Sequence, residues 1–118
     1  MKKIIIVIDK VDLGGKTLIN AIKALNHEAF HVETSNSAKH LISEHPVSLV
    51  IVAMMVQHRS GFDIAKELYD DTDTPIIGIS ADITREKCKR AKACGMKDII
   101  ARSTNLQELQ HVIEQYAL

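Results

Sequence analysis

The sequence predicts an α/β protein: three layers, αβα, around a five-stranded parallel sheet with five helices. Three observations predict it. Continuous β-branched runs such as Ile4-Ile5-Ile6-Val7-Ile8 suit strands buried on both faces, as in the middle of a parallel sheet. These runs alternate with stretches of helical period. The connections between them are short, which fits right-handed crossovers. A chain of 118 residues has room for one such sheet and no second core. Residues 1–118 are therefore expected to form a single domain, with no repeat, linker or attached further domain.

The elements follow in order. Ile4 to Ile8 is the first strand. Leu13 to about Leu25 is the first helix, with Leu13, Thr17, Leu18, Ala21, Ile22 and Leu25 on one face. Ala29 to Thr34 alternates in polarity and reads as an edge strand. Ser35 or Ser37 caps a second helix that runs through Glu44 and stops before Pro46. Ser48 to Ala53 is a second continuous apolar run. Phe62, Ile64, Ala65 and Leu68 mark the third helix. Pro75 to Ser80 is the third apolar run, with Pro75 at a strand start, where its missing N–H is tolerated. Thr84 opens a fourth helix that ends at Cys94-Gly95, Gly95 taking the left-handed position after the helix. Asp98 to Ala101 is a short fifth strand. Asn105 caps the fifth helix, whose core stripe is Leu106, Leu109, Val112 and Ile113.

Composition narrows the function. Hydrophobic residues make up 46% and charged residues 25%, an ordinary globular balance. Fifteen basic residues meet fifteen acidic ones, so net charge points to neither nucleic acid nor an anionic membrane. The only aromatics are Phe30, Phe62, Tyr69 and Tyr116, too few for a base-stacking groove. The apolar run at Ile4–Ile8 is far too short for a membrane span or a signal segment, and a cytoplasmic location is expected. Cys88 and Cys94 have no CxxC spacing and no Cys/His partner set, so free thiols are expected.

Several landmarks appear in sequence: an acid after the first strand, Ser60-Gly61-Phe62 after the third, Ser80-Ala81 ending the fourth, and Gly95-Met96-Lys97-Asp98 before the fifth. With the length and five β/α units, the whole chain resembles the response-regulator receiver family. The resemblance implies a flavodoxin-like fold with strand order 2-1-3-4-5. It also implies a phosphoryl-transfer pocket at the carboxyl ends of the strands. There, two acids after strand one help hold Mg²⁺ and an Asp ending strand three attacks the phosphoryl group. A Thr or Ser ending strand four and a Lys ending strand five contact its oxygens. A carboxylate nucleophile is needed to make an acyl-phosphate. A hard cation offsets the charge that gathers in transfer.

The chain departs from that pattern at most points. The first acid position falls on Ile8, leaving Asp9. The nucleophile position falls on Ala53, whose methyl group takes no phosphoryl group. The loop has Gln57 and Ser60 where the family often has Pro and Asp. Ser80 is kept. The Lys position falls on Arg102, the following Pro on Ser103, and the aromatic switch position on Ile99. So many coincident departures imply a naturally degenerate pseudo-receiver rather than a single engineered change. With one acid left, Mg²⁺ binding is expected to be lost or weakly retained at Asp9, and no cofactor is expected. Two readings of Arg102 stand: a guanidinium paired with Asp9 in place of the metal's charge, or a side chain in solvent.

Other features carry weaker signals. Gly14-Gly15-Lys16-Thr17 resembles the end of a nucleotide-binding P-loop, but the earlier Gly of that motif is Lys10 here. Asp9 and Asp12 are three apart and either share a cation or, for Asp12, cap a helix. Asp70-Asp71-Thr72-Asp73 reads as a solvent-facing turn, and His58 as an exposed loop residue beside Ala53. Ser80 either binds an anion or satisfies its hydroxyl locally. The segment from Thr84 to Arg102 carries seven cations against two acids, a net +5. The resemblance makes helix four, strand five and helix five a docking face for a partner or a second copy. Arg85, Lys89, Lys92 and Lys97 then suit an acidic protein surface, and nucleic acid is disfavoured. The resulting expectation is a non-enzymatic signalling domain that acts by protein–protein binding. The alternatives are a receiver with a residual or non-standard phosphate and Mg²⁺ response, or a small P-loop-like nucleotide-binding protein.

Overall fold

The computed structural model describes residues 2–10 and 12–118. Seven strands and five helices follow one another: β1 (Ile4–Ile8), α1 (Leu13–Ala24), β2 (Glu28–Val32), α2 (Ser35–Glu44), β3 (Leu49–Ala53), β4 (Met55–Val56), β5 (Arg59–Ser60), α3 (Gly61–Asp71), β6 (Ile76–Ser80), α4 (Arg85–Ala93), β7 (Asp98–Ala101) and α5 (Leu106–Tyr116). Five of the strands form one parallel sheet in the order β2-β1-β3-β6-β7. That is the expected order 2-1-3-4-5 once the short β4–β5 ribbon is set aside.

Burial explains the order. Ile5, Ile6, Val7 and Ile8 of β1 and Leu49 to Val52 of β3 are fully buried, so these strands occupy the middle. Each buried Ile or Leu contributes about 1.5–3 kcal/mol relative to exposure. The half-buried residues of β2 place it at an edge. Helices cover both faces through Leu18, Ile19 and Ile22 of α1, Ile64 and Leu68 of α3, and Leu109 and Ile113 of α5. The side chain of Leu13 lies outside the described residues.

Helix ends follow the local chemistry with one correction. Asp12, Ser60, Thr84 and Asn105 each accept a backbone N–H at a helix start. The cap of α2 is Thr34, not Ser35 or Ser37; its hydroxyl accepts from Ser37 N at 3.1 Å. Thr34 is the last extended residue, and Ser35 is already helical, which also ends β2 at Val32. Gly95 has φ +95° and packs its open face on the Tyr69 ring. The stretch between Ala53 and Gly61, expected as a loop, is the antiparallel β4–β5 ribbon, with Met55 opposite Ser60 and Val56 opposite Arg59. Its turn residues Gln57 and His58 both have positive φ, 51° and 63°. That turn geometry ordinarily selects Asn-Gly.

The sheet register sets the functional end. Ile8 pairs with Val52, Ala53 with Ile79, and Ser80 with Ala101. The strand ends of β1, β3, β6 and β7 therefore bring Asp9, Ala53, Ser80 and Arg102 to one edge.

Candidate functional site

At that edge lies a cleft of about 360 Å³, lined among others by Asp9, Ala53, Ser80, Lys87 and Arg102. Asp9 is only 3% exposed and is held from several sides. Its N–H donates to Val32 O at 3.1 Å, and its carbonyl accepts from His31 Nε2 at 3.1 Å. Its Oδ1 accepts from Lys10 N at 2.8 Å. Its Oδ2 lies 2.9 Å from Arg102 Nη1. No described residue gives Oδ2 an aligned hydrogen bond, so the contact with Arg102 is a charge pair in close range rather than a bidentate fork. The distance decides between the two readings of Arg102: it turns to Asp9. Its backbone N–H donates to Ser80 O, which fixes the stem.

A second cation enters from α4. Lys87 Nζ donates to Ser80 Oγ at 2.9 Å and lies 2.5 Å from Asp82 Oδ1. Ser80 Oγ in turn donates to Asp82 O at 2.7 Å. The Ser80 hydroxyl is thus satisfied locally, and the Lys87 ammonium lowers the Asp82 carboxyl below its ordinary range. Sequence reading grouped Lys87 with the surface cations and missed this contact. One signal was available. Thr84 caps α4, which places Lys87 in the first turn, and helical Cα–Cβ bonds tilt toward the N-terminus, back toward Ser80.

Ile8 is a correction: it is fully buried in the core and does not line the cleft, because β1 is covered on both faces. Ala53 does line it and is 2% exposed. Its carbonyl lies so close to Gly61 that a Cβ there would sit 2.0 Å away. Ile99 is buried in β7 opposite Gly78. Arg85, Lys89, Lys92 and Lys97 are exposed. Arg90 instead stacks over the Phe62 ring at 4.3 Å. His58 is exposed at the ribbon's turn. Asp12 caps α1, and Gly14 and Gly15 lie inside its first turn rather than in a loop before it. A Cβ on Gly15 would stand 2.4 Å from Lys10 O and 2.7 Å from His31 Cε1, so close packing accounts for that glycine. The P-loop reading thereby loses its structural basis. No described helix is long and apolar enough to cross a membrane.

The fold and this strand-end cleft define a signalling receiver, and the sequence matches accordingly. Residues 5–114 match the response regulator receiver domain family, and the chain belongs to it. It is 29% identical to the heme response regulator HssR of Staphylococcus saprophyticus over 88% of this chain, and spans only 48% of that protein. It is 22% identical to the polar-differentiation response regulator DivK of Brucella ovis over 98% of this chain and 97% of that one. Among solved structures, a putative response regulator from Chloroflexus aurantiacus superposes with TM-score 0.87 at 16% identity, covering 98% of each chain. The beryllofluoride-activated receiver domain of Klebsiella pneumoniae RstA superposes with TM-score 0.82 at 16% identity, covering 98% of this chain and 97% of that one.

The residues in this cleft do not fit Mg²⁺. That ion wants near-octahedral oxygen ligands. Three aspartates line the cleft, and each is already engaged: Asp9 stands against Arg102, Asp12 caps α1 and Asp82 pairs with Lys87.

Proposed function

We propose that this receiver domain signals by protein–protein contact, without a phosphoryl group on β3 and without catalysing a reaction of its own. The observation that carries the reading is the Asp9–Arg102 pair beside the Ala53 methyl. Where the family gathers carboxylates and a metal, this chain holds Asp9 against a permanent cation. Guanidinium stays charged at any physiological pH, so the site holds one electrostatic state. Asp9, Ala53, Ser80 and Arg102 are then the remnants of a phosphoacceptor pocket, and Ile99 replaces the aromatic that would report on it.

The partner is a protein with an acidic surface, docking on exposed Arg85, Lys89, Lys92 and Lys97 along α4 and the start of β7. A homodimer through this same face would set like charges together, which disfavours it. One domain spanning the chain, working in the cytoplasm, is consistent with this role.

The test is an amide NMR titration with Mg²⁺ and beryllofluoride, a phosphoryl mimic. The reading expects no saturable shifts at Asp9, Ala53 or Ser80. Saturable shifts that spread from these residues into β7 overturn it in favour of a receiver that still answers phosphate.

A further inference from the structure

A second cavity, of about 290 Å³, lies between α1 and α5. Its lining is mostly apolar: Leu18, Ile79, Ile100 and Leu109 are buried, and Ala21 completes one wall. Concave apolar sites with a few fixed polar groups are the usual form of small-molecule pockets. The size is informative, since a cavity of about 150 Å³ already accepts benzene. This one is roughly twice that, enough for a ring or branched chain with a polar head.

The polar lining indicates which head. Arg102 lines this cavity as well as the strand-end cleft, and no acidic residue lines it. Among the described residues, Arg102 is the sole charged group there. Asp9 approaches the guanidinium at Nη1, and Asp12 acts on it by charge alone. Guanidinium carries five N–H donors in a rigid fork, so a second carboxylate finds donors left over. The Arg102 side chain is 35% exposed, within reach of a ligand. Thr104, at the turn after β7, adds a hydroxyl to the same lining. A bare inorganic anion would waste the apolar walls, and a neutral hydrocarbon would waste the guanidinium.

We propose that this cavity is a binding site for a small monocarboxylic acid, its aromatic or branched aliphatic body between α1 and α5 and its carboxylate on Arg102. The charge-assisted contact supplies selectivity for the acid over its amide. The site does not depend on whether the neighbouring cleft takes phosphate. It does give Arg102 a ligand carboxylate in addition to Asp9.

Phenylacetate and hexanoate, with phenylacetamide and hexanamide as neutral counterparts, are titrated into the full chain and followed by amide NMR. The expected result is saturable shifts at Leu18, Ala101 and Leu109 with the acids. The expected dissociation constant is about 1 mM or tighter, and binding of the amides about tenfold weaker. Ala21→Leu fills the cavity and is expected to abolish those shifts while the rest of the spectrum stays folded. Arg102→Gln is expected to level acid and amide. The proposal fails if no acid gives saturable shifts, if acid and amide bind the native chain equally, or if Ala21→Leu leaves binding unchanged.

Discussion

Arg102 Nη1 stands 2.9 Å from Asp9 Oδ2, joining the turn after β7 to the turn after β1 across the cleft. The Asp9 side chain is 4% exposed and that of Arg102 35%, so the charge at greater risk is the carboxylate. Arg102→Ala leaves it buried with only the Lys10 N–H. Loss of a partner from a buried pair is strongly destabilising. Since Arg102 is partly solvated, about 2 kcal/mol is expected. The check is a double-mutant cycle in urea with Asp9→Asn. A coupling energy of about 1 kcal/mol or more is expected between contacting residues. Strict additivity would mean that the pair contributes nothing.

Glu67 predicts an acid limb in stability. It takes Lys39 at 2.7 Å and Arg59 at 2.9 Å, tying α3 to α2 and to the ribbon. The Lys39 hydrogen bond, with help from Ser35 and Arg59, holds its carboxyl at about 2, against an ordinary 4.5. A depressed folded value means the stabilisation is complete above the unfolded value and is lost as pH falls from about 4.5 toward 2. Glu67→Gln is expected to flatten this limb by lowering stability at neutral pH, the two proteins converging as pH falls toward 2. Denaturant midpoints across pH decide it. Added salt should shrink the difference, because the groups are partly solvated.

Gly61→Ala is expected to destabilise by about 3 kcal/mol. The new Cβ would stand 2.0 Å from Ala53 O, backbone that cannot swing aside, and Gly61 N donates to Met54 O at 2.7 Å. Thermal melts of the variant test this. An unchanged midpoint would mean that the β3–α3 connection yields more easily than its geometry suggests.

His58→Gly runs the other way. A non-glycine residue in the left-handed region costs roughly 1 kcal/mol or more, offset in part by the greater freedom of glycine when unfolded. His58 is exposed at φ 63°, so the variant is expected to gain about 0.5 kcal/mol. A loss of stability instead would show that the His58 ring contributes contacts of its own.

The legibility of this chain was uneven for physical reasons. β1, β3 and β6 could be read because unbroken Ile and Val runs have few other homes. Thr84, Asn105 and Gly95 marked helix ends because caps and left-handed positions select few residue types. The β4–β5 ribbon stayed hidden because Gln57-His58 carries none of the usual turn chemistry, and tertiary context imposes the conformation. The Asp9–Arg102 approach could be framed but not decided, since side-chain direction at a strand end depends on neighbours from three strands. Lys87 was read with its sequence neighbours, although the helix start aims it the other way. Ile8 was placed in its strand correctly, yet β1 is covered on both faces, so Ile8 belongs to the core and not the cleft.

Lys87 holds Ser80 and Asp82 together at the mouth of α4, so the β6–α4 connection is stapled by the chain's own side chains. A connection fastened by a dissociable ligand relays the concentration of that ligand. One fastened by a lysine of the same polypeptide needs no such ligand to stay closed.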